Sequence, residues 1–278
     1  MQGNVYTPRT GVGSCTEEPV TALTEDASFT TGDIIELPAV VSYDVPTFTA
    51  PYNSTVTINA ASLANACTDL ALASPSVIPS GAGQNCFIDV GLKTVTLGAD
   101  GVAGEISLPN ISVANTYTLI FEGNSGPAQK FNINSLSGMG NIEIEANTDM
   151  GDSNEAVVLQ VAGLDIDGMT ELAVPLDLDQ MAWKQNSTAK TYDASAFQII
   201  YGGSGIISMT GGNNQSAVTV YAPNADFQLQ GTQDLFGSVL AGTIENFGTA
   251  GISYDRRLGR DFYVAGRPMV GTFTWKRF

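Results

Sequence analysis

From residue 51 onward apolar and polar residues alternate in short bursts. Examples are STVTINA (54–60), KTVTLGA (93–99), TYTLIFEG (116–123), QKFNINSLSG (129–138), GNIEIEAN (140–147), EAVVLQVAGLDIDG (155–168), SAFQIIYGG (195–203), GIISMTGG (205–212), SAVTVYAP (216–223) and DFQLQG (226–231). A period of two belongs to a strand, whose successive side chains point to opposite faces, so each burst predicts a strand with one face toward a core. Clusters that favour turns separate them, such as Gly98-Ala99-Asp100-Gly101, Asn124-Ser125-Gly126-Pro127 and Gly211-Gly212-Asn213-Asn214. The pattern predicts an all-β chain.

Two arrangements of many short strands compete. A β-sandwich is built from hairpins, and tight Asp-Gly or Asn-Gly turns between matched strands are its sign. Asp100-Gly101 and Asp167-Gly168 are the candidates here, and only the first sits between matched runs. A β-solenoid instead lays each strand beside the one a coil earlier, with ladders of Val, Ile, Leu and Phe inside and Gly or Asn at the corners. The stretch VYAPNADFQLQGTQDLFGSVLAG (220–242) favours the solenoid. Val218 and Val220 are expected to point inward, Pro223-Asn224 to turn a corner, and Phe227 and Leu229 to point inward again. Phe236, Val239, Ala241, Ile244, Ile252 and Tyr254 continue the inward series. No strict repeat length emerges, so the expected fold is an irregular right-handed β-solenoid (β-helix), with a β-sandwich as the alternative.

The alternation weakens at both ends. Residues 1–50 are acidic, rich in Thr and interrupted by Pro19, Pro38 and Pro46, which predicts an extended N-terminal arm, with VYTPRT (5–10) as an edge strand. Residues 51–278 form the body, with a basic C-terminal cap from 256. Within it, 176–195 is irregular, and Met181-Ala182-Trp183 is expected to anchor it.

Composition sharpens this picture. Only 14% of residues are charged, which leaves few helix-surface formers, while 30 Gly and 12 Pro suit turns. The net charge of −17 is unevenly spread. Residues 1–255 hold 27 acids and 5 bases, whereas 256–278 hold one acid, Asp261, and six bases, Arg256, Arg257, Arg260, Arg267, Lys276 and Arg277. The basic tail is either a docking end for an acidic partner or a clasp on the chain's own carboxylates. Nucleic acid is excluded as a partner because the acidic body repels phosphate. Histidine is absent, which removes the commonest general base and metal ligand. Cys67 and Cys86 bracket a Pro/Gly/Ser-rich segment and are expected to form a disulfide, leaving Cys15 odd. Such a bridge points to an oxidising compartment. No apolar run reaches the 18 residues of a membrane span, and an exported chain is expected to carry a leader or anchor upstream of Met1.

Residues 199–258 carry a resemblance. A strand ending in Tyr221-Ala222-Pro223-Asn224-Ala225 is followed by Phe236-Gly237-Ser238-Val239-Leu240-Ala241 and a closing Ile252-Ser253-Tyr254-Asp255. This order resembles the carboxy-terminal domain of unknown function in bacterial pilus-assembly proteins of the PilX type. A looser similarity reaches upstream through GVAGEISLPNISVANTYTLIFEG toward residue 35. The same elements look like those of choice-of-anchor A surface domains and, more distantly, of the solenoid of ice-binding adhesins. The resemblance implies a secreted or surface-displayed solenoid, often pilus-associated, with no catalytic residues to carry over. The chain departs from a pilin in lacking an apolar amino-terminal helix.

Candidate chemistry is sparse. Asp165, Asp167 and Glu171, with Asp177 and Asp179, offer hard oxygens for Ca²⁺, but the spacing lacks an EF-hand loop and alternation turns each pair outward, so a solvated strand face is the favoured reading. Glu143 and Glu145 read the same way. Clustered carboxylates would suit a carbohydrate-active enzyme, yet the body offers only Lys93, Lys130, Lys184, Lys190 and Arg9 to hold an acidic sugar. Gly202-Gly203-Ser204-Gly205 is followed by no Lys-Ser/Thr and reads as a turn rather than a phosphate loop. Thr55-Val56-Thr57 and Thr94-Val95-Thr96 suggest a flat face that orders water or touches sugar. Tyr117, Tyr192, Tyr201, Tyr221, Trp183 and Trp275 are sugar-stacking candidates that strands commonly half-bury.

The expectation is a non-enzymatic extracellular or cell-surface bacterial protein without cofactors, a structural or adhesive part of a pilus-associated or filament-forming appendage. Its partners are other appendage subunits or itself, and host or matrix glycans. Arg256, Arg257, Arg260, Phe273, Trp275, Lys276 and Arg277 form the candidate self-association or docking segment, because Phe273 and Trp275 alternate with polar neighbours and suit addition as a strand, either to the chain's own body as an internal cap or to another subunit's edge. A glycan- or ice-binding module is the alternative, and a carbohydrate-active enzyme ranks below it.

Overall fold

The computed structural model describes residues 5–7, 34–36, 54–79, 83–98, 104–123, 128–145, 156–162, 176–177, 181–184, 194–209, 216–230, 235–254 and 258. The chain divides into two compact units, Met1–Asp44 and Val45–Phe278. In the first, β1 (Val5–Thr7) pairs in parallel with β2 (Ile34–Glu36).

The strands of the second unit fall into three sheets. Strands β3 (Thr55–Ile58), β7 (Asn110–Val113) and β10 (Leu136–Gly138) form the first, with β7 in the middle. The second runs in the order β14 (Met181–Lys184), β11 (Asn141–Glu145), β8 (Thr118–Glu122), β5 (Thr94–Leu97), β4 (Cys86–Asp89). The third has nine strands. They are β6 (Glu105–Leu108), β9 (Gln129–Ile133), β12 (Val157–Val161), β13 (Leu176–Asp177), β15 (Phe197–Tyr201), β16 (Ile206–Met209), β17 (Ser216–Leu229), β18 (Leu235–Asn246) and β19 (Ile252–Tyr254).

From β5 to β12 the chain visits the sheets in rotation. β5, β8 and β11 enter the second sheet, β6, β9 and β12 the third, and β7 and β10 the first. Each visit lays a strand parallel to the one from the visit before. Among the described residues every pairing is parallel except that of β4 with β5. The all-β reading holds, and parallel sheets replace the hairpins that a sandwich needs. The runs flanking Asp100-Gly101, the one candidate hairpin between matched runs, go to different sheets, β5 to the second and β6 to the third. The one described hairpin, β4–β5, turns at Val90–Lys93 instead. There the Asp89 side chain accepts the Leu92 N–H at 2.9 Å, and Lys93 adopts a left-handed φ of 59°.

Parallel register converts alternation into columns of core residues. Ile106, Phe131, Leu159, Ile199, Val220 and Val239 stand side by side on six strands of the third sheet. The first four are at most 3% exposed. Val95, Leu119 and Ile142 form a column in the second sheet, as do Leu97, Phe121 and Ile144. Met181 and Trp183 of β14 occupy the next register positions of those two columns. In the first sheet Val56 neighbours Ile111, which neighbours Leu136. Phe121 and Phe131, on different sheets, meet edge to face with ring centroids 4.9 Å apart. These columns belong to one continuous apolar cluster. Burying them is the main stabilising term.

Corners are short and repeat their chemistry. Pro109 alone separates β6 from β7, and Asn134-Ser135 separates β9 from β10. The Asn110 side-chain carbonyl accepts from Asn134 Nδ2 and from Ser135 Oγ, both at 2.7 Å, so successive corners are tied together. Gly202–Gly205 forms the bend between β15 and β16, as a turn reading requires. Strands β17 and β18 pair through Ser216–Ala222 and again through Asp226–Leu229, with the register shifting between Ala222 and Asp226, where Pro223 and Asn224 lie. Val218, Val220, Phe227 and Leu229 are buried, as the alternation predicts.

At the β3 end the chain forms helix α1 (Ala66–Ala73), which packs on β3 and β4. Leu63, Ala66, Cys67 and Leu70 recur at helical spacing and are all buried. Cys67 and Cys86 form a disulfide with their Cα atoms 5.7 Å apart, tying α1 to β4.

The face of the third sheet opposite the core is also covered in its middle. Asn132, Val158, Gln198, Ala217 and Thr219 are all under 10% exposed. Ala128 and Val158 form one small apolar cluster there, and Ala194, Ala217 and Leu258 another. Strand β12, Val-Val-Leu-Gln-Val, is buried along its whole length, which suits its near-continuous apolar sequence.

Candidate functional surface

Among the described residues, those singled out for chemistry do not converge. Asp165, Asp167, Glu171 and Asp179 lie outside the described residues, as do Cys15, Tyr192, Arg256, Arg257, Arg260, Phe273, Trp275, Lys276 and Arg277. Glu143 and Glu145 alternate with the core residues Ile142 and Ile144 and sit half-buried on the other face of β11. Their register neighbours on β8 are Ile120 and Glu122. Among the described residues no group of three or more His, Cys, Asp or Glu side chains is placed to hold a metal ion. A depression of about 390 Å³ opens beside the disulfide. Its described lining of Cys67, Thr68, Pro79, Gln84, Cys86, Phe87 and Ile88 contains no side chain that titrates, since both cysteines are oxidised.

The aromatic candidates divide by position. Tyr201 is buried at 1% exposure, and its hydroxyl accepts the Gly205 N–H at 3.2 Å, so it braces the β15–β16 bend rather than offering a platform. Tyr117 is half-buried with the Lys93 ammonium 5.6 Å above its ring centroid. Tyr221 is half-buried as well.

Two surface features remain. The first is the outer face of the three-stranded sheet. Val56, Ile58, Ile111, Val113 and Leu136 point into the core, so Thr55, Thr57, Asn110, Ser112 and Ser137 stand on the other face. Thr57, Ser112 and Ser137 are register neighbours, and Thr55 neighbours Asn110. Strand spacing puts the members of each row about 4.8 Å apart. Thr94 and Thr96, expected to share such a face, lie on the second sheet instead, half-buried and in register with Thr118 and Ile120.

The second feature is the end of the stack. Ile244 is the register neighbour of the buried Phe227, and Ile252 of the buried Leu235. Both are therefore core-side positions, as the alternation predicts. Yet Ile244 is 49% exposed, Ile252 38% and Tyr254 61%, with Phe247 at 66% beside them. Alternation reports which face a side chain takes, but burial needs another strand beyond it. Among the described residues none pairs beyond β19 or beyond the second half of β18. Phe236, also expected inside, takes the opposite face and packs against Ala194, Ala217 and Leu258, because its neighbour Leu235 is the core residue.

Residues 128–260 match the family described as a domain of unknown function, DUF7305. The match takes in strands β9 to β19 and the whole of the segment 199–258. No curated protein and no solved structure matches the chain.

Proposed function

We propose that the unit Val45–Phe278 is an irregular right-handed β-solenoid, and that it serves as a non-enzymatic structural or adhesive component of a bacterial surface appendage, working outside the cell. The observation that carries this reading is the rotation of the chain through three sheets, each return adding a parallel strand in register with the last. A coil of this kind gains stiffness from backbone pairing between successive rungs, and it presents surface rather than a pocket. The disulfide fits an oxidising compartment. The sequence likeness of residues 199–258 to pilus-associated domains supplies the appendage context. Parallel crossovers are right-handed in nearly all known sheets, which gives the hand.

Electron micrographs and light scattering of the purified protein across a salt series test this. Filaments, or species larger than a monomer that shrink as salt rises, are expected, because an acidic body and a basic tail attract most strongly when unscreened. Monomers whose size ignores salt would contradict it.

A second reading, a glycan- or ice-binding face, is favoured by the row Thr57, Ser112, Ser137. Regularly spaced small polar groups on one sheet face suit an ordered array of water or sugar hydroxyls. Retention on ice or on a glycan array that is lost in Thr57→Tyr supports it. No retention on either excludes it.

A further inference from the structure

The exposed rung at the end of the stack has a specific occupant. We infer that the segment Phe273-Thr274-Trp275-Lys276 of a second copy of this chain adds as the next parallel strand on β19, an inference that rests on the appendage reading above. Three observations lead there. First, β19 presents core-side Ile252 and Tyr254 at 38% and 61% exposure, two residues apart, on a strand with no described partner beyond it. An apolar edge of this kind recruits a strand. Second, Phe273 and Trp275 have the same spacing, and laying the two sequences side by side pairs Ile252 with Phe273, Ser253 with Thr274, Tyr254 with Trp275 and Asp255 with Lys276. The match is apolar on the core side, hydroxyl on the outer side and opposite in charge at the last position. Glu245, exposed on β18, adds to the acid of the body, and the tail carries six bases.

Third, Tyr254 stands at the edge, while Leu258, four residues on, is buried against Ala194 and Ala217 on the outer face of the sheet. Leu258 therefore lies on the outer face, off the row of core-side residues that the β19 edge continues. A donor segment and an acceptor edge at different places on every copy make a head-to-tail contact, which propagates unless its rotation closes a ring.

The test uses the full chain. Equal amounts of ¹⁴N- and ¹⁵N-labelled protein are mixed at low salt, treated with a carbodiimide that joins carboxylates to amines, digested and analysed by mass spectrometry. Cross-links between Asp255 and Lys276 that combine one light and one heavy peptide are expected. Cross-links of uniform isotope only would mean that a chain's own tail fills the edge, and absence of the Asp255–Lys276 link would remove the pairing altogether; either result overturns the inference. As a second measurement, Ile252→Asp, a change at a partly exposed position, is expected to weaken self-association by about tenfold or more. Asp255→Lys and Lys276→Asp are each expected to weaken it, and the double exchange to restore it. Unchanged assembly in these variants overturns the inference while leaving the appendage reading intact, whereas a wild-type chain that never self-associates overturns both.

Discussion

Leu159 sits at the middle of the longest core column, fully buried between Phe131 on β9 and Ile199 on β15. Truncation to Ala removes its apolar burial and leaves a cavity that close-packed neighbours on both sides cannot fill, which costs about 3–4 kcal/mol. The more telling quantity is how that loss couples to others. Ile199 is in the adjacent strand, about 4.8 Å away by strand spacing, and Val239 is three strands on in the same column, about 14 Å away. In a stack where each strand touches only its neighbours, Leu159→Ala and Ile199→Val share a cavity and are expected to couple by about 0.5–2 kcal/mol. Leu159→Ala and Val239→Ala should add to within about 0.5 kcal/mol. Urea unfolding of the wild type, the three single variants and the two doubles, followed by circular dichroism with the disulfide intact, yields both couplings. Equal couplings for the near and the distant pair would refute the column and the register that defines it.

Other perturbations probe particular parts. Replacing both Cys67 and Cys86 by Ala removes a bridge that spans 19 residues, and is expected to lower stability by about 3 kcal/mol in the chain-entropy model. Urea midpoints with and without reductant check this, and reductant should leave the double variant unmoved. Gly237 has a φ of +141°, and a Cβ there would meet the carbonyl oxygen of Val218 on the neighbouring strand. Gly237→Ala is therefore expected to cost about 2 kcal/mol or more, read as a fall in melting temperature, and an unchanged melt would contradict the β17–β18 register. Thr57→Val, on an exposed position of β3, is expected to stay within about 0.5 kcal/mol of the wild type in the same melt.

Much of the fold was legible because a strand's alternation depends only on which face is buried. Val218, Val220, Phe227 and Leu229 were readable one by one for that reason. The pairing of strands was harder. Ile106 and Phe131 are neighbours across 25 positions of sequence, and parallel neighbours leave no turn dipeptide to mark them. The single hairpin among the described residues leaves no sequence mark, because its loop, Val90-Gly91-Leu92-Lys93, holds neither Asn-Gly nor Asp-Gly and depends on Asp89 to hold the turn. Helix α1 had a signal, Leu63, Ala66, Cys67 and Leu70 at helical spacing in an Ala/Leu-rich run. The neighbouring Pro75, Pro79 and Ser residues made the region read as a loop between cysteines. At the far end, Ile244, Ile252 and Tyr254 take the face that alternation assigns, but no local pattern reports where a stack stops. The surface features were legible only in part. Thr55-Val56-Thr57 stood out in the sequence, whereas its alignment with Ser112 and Ser137 depends on pairing.

The most direct test of the central claim, that successive returns of the chain stack in parallel, is a set of nuclear Overhauser contacts among methyl-labelled Leu159, Ile199, Val220 and Val239. The account predicts contacts from Leu159 to Ile199, from Ile199 to Val220 and from Val220 to Val239, with none between Leu159 and Val239. Contacts that instead joined these residues across antiparallel hairpins, or that linked Leu159 directly to Val239, would contradict it.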